Sequence, residues 1–115
     1  MWIANVGHVE TDFHSKAVKF HPAAINCMEA AAHSLLAHSS EGRSYMREMT
    51  SGAGHDSVFT SRRCPTTMIF VPCKDVVSHH LEEWCEKEDY ANGASMLMGA
   101  VIRFDRKRYQ SGKLR

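Results

Sequence analysis

Two short runs in this chain combine residue types that bind ligands. In Ser51-Gly52-Ala53-Gly54-His55-Asp56, two glycines let the backbone approach a bound group closely. A helical run follows at once, and amides at a helix start attract anions such as a carboxylate. The second run is Ser78-His79-His80 with Glu82-Glu83 behind it, and imidazole and carboxylate are donor types that zinc accepts. Adjacent residues of an extended segment point to opposite sides, so His79 and His80 do not easily share one metal. Zinc asks for three or four protein groups, so spacing alone supplies no complete metal site. His55 stands on a turn with little core to satisfy, which suits a hydrogen bond to a substrate. Asp56 reads as the cap of the helix after it. As bare patterns both runs have plain alternatives: a glycine turn before a helix is commonly only a turn, and the two glutamates serve equally as a solvated loop.

The remaining reactive types carry less. Cys64 and Cys73 flank an apolar run without a histidine base nearby in sequence, and read best as small buried residues. The four cysteines, Cys27, Cys64, Cys73 and Cys85, show no CxxC pairing, and a chain that is 43% hydrophobic does not need disulfide staples. A reducing, cytoplasmic setting follows. Basic residues between Arg103 and Arg108 mimic a nucleic-acid patch, but the net charge is only +1 and the run sits at a helix end that favours cations. Neither nucleic acid nor a membrane is expected as a partner: no run nears the ~18 apolar residues of a membrane span, and the N-terminus lacks a signal-peptide pattern.

These runs must be positioned by a small set of elements within 115 residues, enough for one small domain. Residues 1–19 have no sustained periodicity. Pro22 suits a first helical turn, and Ile25, Met28, Ala32 and Leu35 recur at helical spacing, which predicts an amphipathic helix over 22–38. A polar loop at 39–43 leads to a brief strand at Tyr45–Met49. A short helix follows from Ser57 to Arg63 and stops before Pro65. Thr66–Val71, TTMIFV, is β-branched and apolar without alternation, as in a strand covered on both faces. Pro72 ends it, and Cys73–Trp84 makes a polar loop. The last helix runs from Glu86 to Lys107, with a stripe of Tyr90, Ala94, Leu97, Val101 and Phe104, acidic residues at its start and basic ones at its end. The order helix-strand-helix-strand-helix predicts an α/β fold. Two strands are fewer than the three or so a stable sheet uses, so the chain is expected to dimerise, borrow strands or form a piece of something larger.

Several blocks together resemble one family. They are Ala17-Val18-Lys19-Phe20-His21-Pro22, Met49 to Asp56, Cys64-Pro65-Thr66, Met68-Ile69-Phe70-Val71-Pro72, Val77-Ser78-His79, Glu82-Glu83, and the helix from Glu88-Asp89 to Arg108. In this order and spacing they look like the dinuclear zinc amidohydrolases that cleave N-carbamoyl amino acids, allantoate and ureidopropionate, relatives of aminoacylase and the zinc carboxypeptidases. The resemblance covers residues 16–108 and leaves 1–15 and the tail 109–115 outside. It implies the C-terminal part of an α/β zinc-exopeptidase-like catalytic domain. It implies that His79 ligates a metal, and that Gly52, Ala53, Gly54, His55 and Asp56 line the substrate pocket, the turn's backbone helping to hold a substrate carboxylate. Intact members use two zinc ions, or manganese or another divalent metal, to activate a bridging water that attacks a ureido or amide carbon of a small-molecule substrate. They pair as homodimers through a separate domain, and that domain, most ligands and the general-base glutamate have no counterpart here.

The resemblance therefore implies a truncated segment with little or no activity alone. The alternatives are a non-catalytic interaction fragment and a piece of an aminoacylase or dipeptidase. Three positions depart from the pattern: Val76 replaces a glycine, Leu81 a proline, and His80 a small polar residue. Loss of the glycine bears on the turn that aims His79.

Overall fold

The protein is described by a computed structural model covering residues 16–37 and 46–112. Its elements are helices α1 (Pro22–Leu36), α2 (Ser57–Ser61) and α3 (Lys87–Gln110), with one 3₁₀ turn at Lys74–Val76. α1 starts where its sequence says it should. Pro22 occupies the first turn, His21 ahead of it is extended, and the His21 ring nitrogen Nδ1 accepts from the Ala23 N–H at 3.1 Å. The helix closes at Ala37, whose N–H donates to the His33 and Leu35 carbonyls. Position 38, the expected end, lies outside the described residues.

The α1 face that is buried differs from the predicted stripe. Ala24, Cys27, Met28, Ala31 and Ala32 are buried, whereas Ile25 is half-buried and Leu35 is 43% exposed. The cause lies across the interface. α3 presents Gly99 and Ala100 there, and a methyl added at Gly99 would sit 3.1 Å from the Ala31 Cβ. Helices with small residues at the crossing approach closely, which pushes bulky side chains to the margin. Cys27, Met28, Ala31 and Ala100 form the core, with Ile69, Met96 and Phe104 packed against it. Arg103 fastens the edge of the pair, donating from Nη1 to the Gly99 carbonyl at 3.0 Å and from Nη2 to Ser34 Oγ on α1 at 2.6 Å.

α3 is longer than predicted at its C-terminus. It runs to Gln110 and caps at Ser111, whose N–H donates to the Lys107 and Tyr109 carbonyls, before Gly112 turns the chain at φ 64°. Glu88 and Asp89 lie in the first turn and Lys107 and Arg108 in the last, matching the helix dipole as expected. Of the predicted stripe, Phe104 packs on the core, but Tyr90, Leu97 and Val101 are 69%, 52% and 57% exposed. Burying a leucine or valine side chain is worth about 1.5–3 kcal/mol, so this face holds unused stabilisation. No helix among the described residues is long and apolar enough to cross a membrane.

Neither predicted strand is present among the described residues. Residues 46–49 have no regular structure, and Tyr45 lies outside the described part. Thr66–Val71 also forms no ladder; a strand needs a neighbour, and among the described residues this segment has only one backbone bond to another part of the chain, from the His21 N–H to the Thr66 carbonyl at 3.3 Å. It lies instead against α3, where a methyl on Gly93 would come within 2.6 Å of Val71 Cγ1. The helix-strand-helix-strand-helix order is thus not seen, and the described architecture is a helix pair with an apolar segment laid on it.

The Gly99 contact yields a direct expectation. Gly99→Val should lower the midpoint of thermal unfolding, followed by circular dichroism, by an amount equivalent to about 1–3 kcal/mol of overpacking. Ser95→Ala, at an exposed position of the same helix, should stay within about 0.5 kcal/mol of the parent.

Candidate functional site

The glycine turn is exposed at every position from Ser51 to Asp56. Ser51 closes it locally: its hydroxyl donates to the Ala53 carbonyl at 3.2 Å and lies 3.3 Å from the Ala53 N–H. Gly52 and Gly54 both have ordinary dihedrals, and a methyl added to either would meet nothing within 4 Å. Neither backbone conformation nor packing within the described residues asks for glycine at these two places. Open backbone of this kind leaves room for another group to come close.

The helix after the turn is capped by a residue other than the predicted one. Asp56 already has helical dihedrals, φ −58° and ψ −24°, and its side chain makes no cap bond. A cap residue must be extended for its oxygen to reach back to the first amides, so the carboxylate cannot serve. His55 does so instead, its Nδ1 accepting from the Ser57 N–H at 3.1 Å and lying 2.9 Å from Ser57 Oγ. An Nδ1 that accepts from an amide carries no proton, so neutral His55 bears its hydrogen on Nε2. That N–H is the group His55 can offer a ligand. The helix it caps is only five residues long and has no buried residue.

His79 sits in a loop closed at its neck by the Lys74 N–H donating to the Trp84 carbonyl at 2.8 Å. Inside, Asp75, Val76 and His79 adopt positive φ of 55°, 56° and 59°. Histidine and aspartate tolerate this region better than a β-branched residue does. Val76 is the position where the resemblance leads one to expect glycine, and its side chain is 93% exposed, with no packing to compensate. The loop keeps a glycine-type conformation without the glycine.

Around His79 the loop is organised by short bonds. The His79 N–H donates to Glu83 Oε2 at 2.8 Å, and its ring Nδ1 lies 3.0 Å from Ser78 Oγ. His80 is engaged separately: its Nδ1 accepts from the Glu82 N–H at 3.2 Å and stands 4.0 Å from Glu82 Oε2. The two histidines share no hydrogen-bond partner among the described residues, and His79, at φ 59°, is not in the extended backbone from which their opposite facing was expected. His21, His55 and His80 each spend Nδ1 on the amide two residues ahead, whereas among the described residues the His79 ring makes no bond to backbone. Either atom of the Ser78–His79 contact can donate; where Nδ1 is the donor, Nε2 keeps a lone pair, the state a metal-binding histidine needs.

In that tautomer the free ring nitrogen is Nε2. The described residues do not complete a site around it, since no three His, Cys, Asp or Glu side chains among them are placed to hold one ion. No hydrogen bond or ion pair among the described residues links the glycine turn to the His79 loop. Two cysteines differ from the expected burial, Cys64 being exposed and Cys73 only half-buried; all four are free thiols. Partial burial, then the neighbouring Cys73, Asp89 and Glu86, push the Cys85 thiol above its ordinary value.

Comparison with known proteins adds the following. A model of the family described as Peptidase family M20/M25/M40 matches residues 4–103. The chain is 36% identical over 94 residues to an N-carbamoyl-L-amino-acid amidohydrolase of Rhizobium meliloti, covering 82% of this chain and 21% of that protein. It is 47% identical over 55 residues to a ureidoglycolate hydrolase of Oryza sativa subsp. japonica, covering 48% and 11%. With an allantoate amidohydrolase of Bacillus subtilis (strain 168) it shares 42% over 50 residues, 44% and 12% of the two chains. The alignment thus spans about a fifth or less of the length of each of these curated relatives. No solved structure matches.

Two substitutions separate the roles of the turn and the loop. Val76→Gly should raise stability by about 1 kcal/mol in denaturant unfolding, through relief of the left-handed valine. Gly54→Ala should leave the unfolding midpoint unchanged or raise it by up to about 1 kcal/mol, since nothing within the described residues resists the added methyl.

Proposed function

Because this chain belongs to peptidase family M20/M25/M40, we propose that it is the part of a zinc-dependent amidohydrolase that supplies the substrate-side turn and one metal ligand. The substrates of that class are N-carbamoyl amino acids or related ureido acids, acted on at a linear carbon–nitrogen bond. The observation that carries the reading is the family match over residues 4–103, together with relatives named for N-carbamoyl-L-amino-acid, ureidoglycolate and allantoate hydrolysis. Within it the open backbone of Gly52, Ala53 and Gly54 faces the substrate carboxylate, with His55 Nε2 and Asp56 beside it. His79 Nε2 is the metal donor, oriented by Ser78.

Zinc, or manganese or another divalent ion, would supply an activated water in the completed site. The described residues offer one donor of the several required, so no hydrolytic step is assigned to them alone. The exposed Tyr90, Leu97 and Val101 on α3 support the same reading, as a face available to the sheet of such a domain. They equally support association with a separate chain that carries the other ligands.

The test is reconstitution. The purified chain with added zinc should not turn over N-carbamoyl-L-amino acids or allantoate. Mixed with a polypeptide carrying the remaining portion of a family catalytic domain, it should restore zinc-dependent turnover. His79→Ala should abolish the restored activity, His80→Ala should retain it, and Ser78→Ala should weaken metal affinity or activity by about 10–100-fold. Turnover by the chain alone, or restored activity that survives His79→Ala, would refute this division of the site.

A further inference from the structure

The loop that carries His79 begins and ends on a cysteine. Cys73 and Cys85 stand one residue outside the bond between the Lys74 N–H and the Trp84 carbonyl, 2.8 Å long, where the chain leaves the loop beside the strand of backbone by which it entered. No ladder forms around this single bond, but it sets the two segments side by side, with Cys73 and Cys85 the next residues outward on each. A disulfide spans roughly 4.4–6.8 Å between Cα atoms, a separation within reach of residues adjoining a backbone bond of this kind.

Both thiols are half-buried and free, and neither is held by a strong partner. Cys73 Sγ lies 3.5 Å from the Val71 carbonyl and Cys85 Sγ 3.5 Å from the Glu86 carbonyl, contacts that a sulfur gives up easily. After desolvation, the Cys73 sulfur is the next cause that raises the Cys85 thiol, which agrees with the two lying near each other.

We propose that Cys73 and Cys85 form a reversible disulfide across the neck of the His79 loop, with a low-molecular-weight disulfide as oxidant. One protein thiolate attacks a sulfur of the reagent, giving a mixed disulfide and releasing one small thiol. The second protein thiolate then attacks the bound protein sulfur, closes the Cys73–Cys85 bond and releases the second small thiol. The protein loses two electrons and two protons, and the reagent's sulfur–sulfur bond takes them up. The cross-link closes the segment from 73 to 85 into a ring, fixing the turn at Asp75–Val76 and the base from which His79 projects. It does not depend on the hydrolase reading and stands if that reading fails.

The test uses the native chain with excess glutathione disulfide in mildly alkaline buffer, which counters the raised Cys85 thiol. After alkylation and digestion, mass spectrometry should show peptides joined through Cys73 and Cys85 and a chain lighter by two hydrogens at these residues. Exposed Cys64 should carry only a glutathione adduct. In Cys85→Ser, Cys73 should stop at the glutathione adduct, with circular dichroism confirming an unchanged fold. The inference fails if the native chain yields separate adducts on Cys73 and Cys85. It fails equally if Cys73 pairs with Cys64, or if the native chain gives the same mixture of pairs as the chain in guanidinium chloride.

Discussion

Everything described in this molecule hangs on the close approach of α1 and α3, which the absence of side-chain bulk at Gly99 makes possible. With Ala31 Cβ only 3.1 Å from where a Gly99 methyl would be, the backbones meet nearly directly. Cys27, Met28, Ala31 and Ala100 are then enough to exclude water between them. A core of such small side chains contributes little hydrophobic free energy per residue. Its Arg103–Ser34 bond therefore matters more than a surface bond usually does, since it fixes the register of a pair that has few large knobs to do so. The apolar segment at 66–71 is positioned by the same helix, through the notch at Gly93, and the loop with His79 continues from that segment.

The two ligand-type runs are built by different means. The glycine turn is held by one serine that bonds within its own turn, and by a histidine that caps the short helix behind it. The His79 loop is held by a bond across its neck, by Glu83 reaching back to the His79 amide, and by three residues at positive φ. Both arrangements leave polar groups facing outward from a backbone that is locally determined. The family membership and the relatives' names support the chemistry proposed for such groups; the fold of the described residues supplies only their placement.

Much of this was legible in the sequence. Pro22 set the start of α1, the charges of the last helix matched its ends, and the motif blocks identified the family. The sequence misled where one signal stood for two physical causes. Helical spacing of Ile25, Met28, Ala32 and Leu35 marked an apolar face, but which apolar residues are buried depends on the partner's shape, and Gly99 favoured the alanines. β-branched residues at 66–71 marked a strand, but a ladder needs a second strand, and none is present among the described residues. Asp56 had the right chemistry for a cap and the wrong dihedrals, while histidine, which is not among the preferred capping residues, caps the turn at 55. The left-handed Val76 was foreshadowed by the missing glycine, because that residue type encodes a backbone angle and not a contact.

The α1–α3 contact also sets an order of events in folding. Residues 37–86 lie between the two helices, so the core joins parts of the chain that are far apart in sequence. Closing so long a loop must precede the reward from packing, which slows folding relative to a chain of local contacts. Ala100 and Phe104 belong to the final helix, and a chain emerging from a ribosome exposes the apolar face of α1 until they arrive. For that interval Cys27 and Met28 have no partner on α3, and a chaperone or another nascent surface can occupy the place that Ala100 later takes.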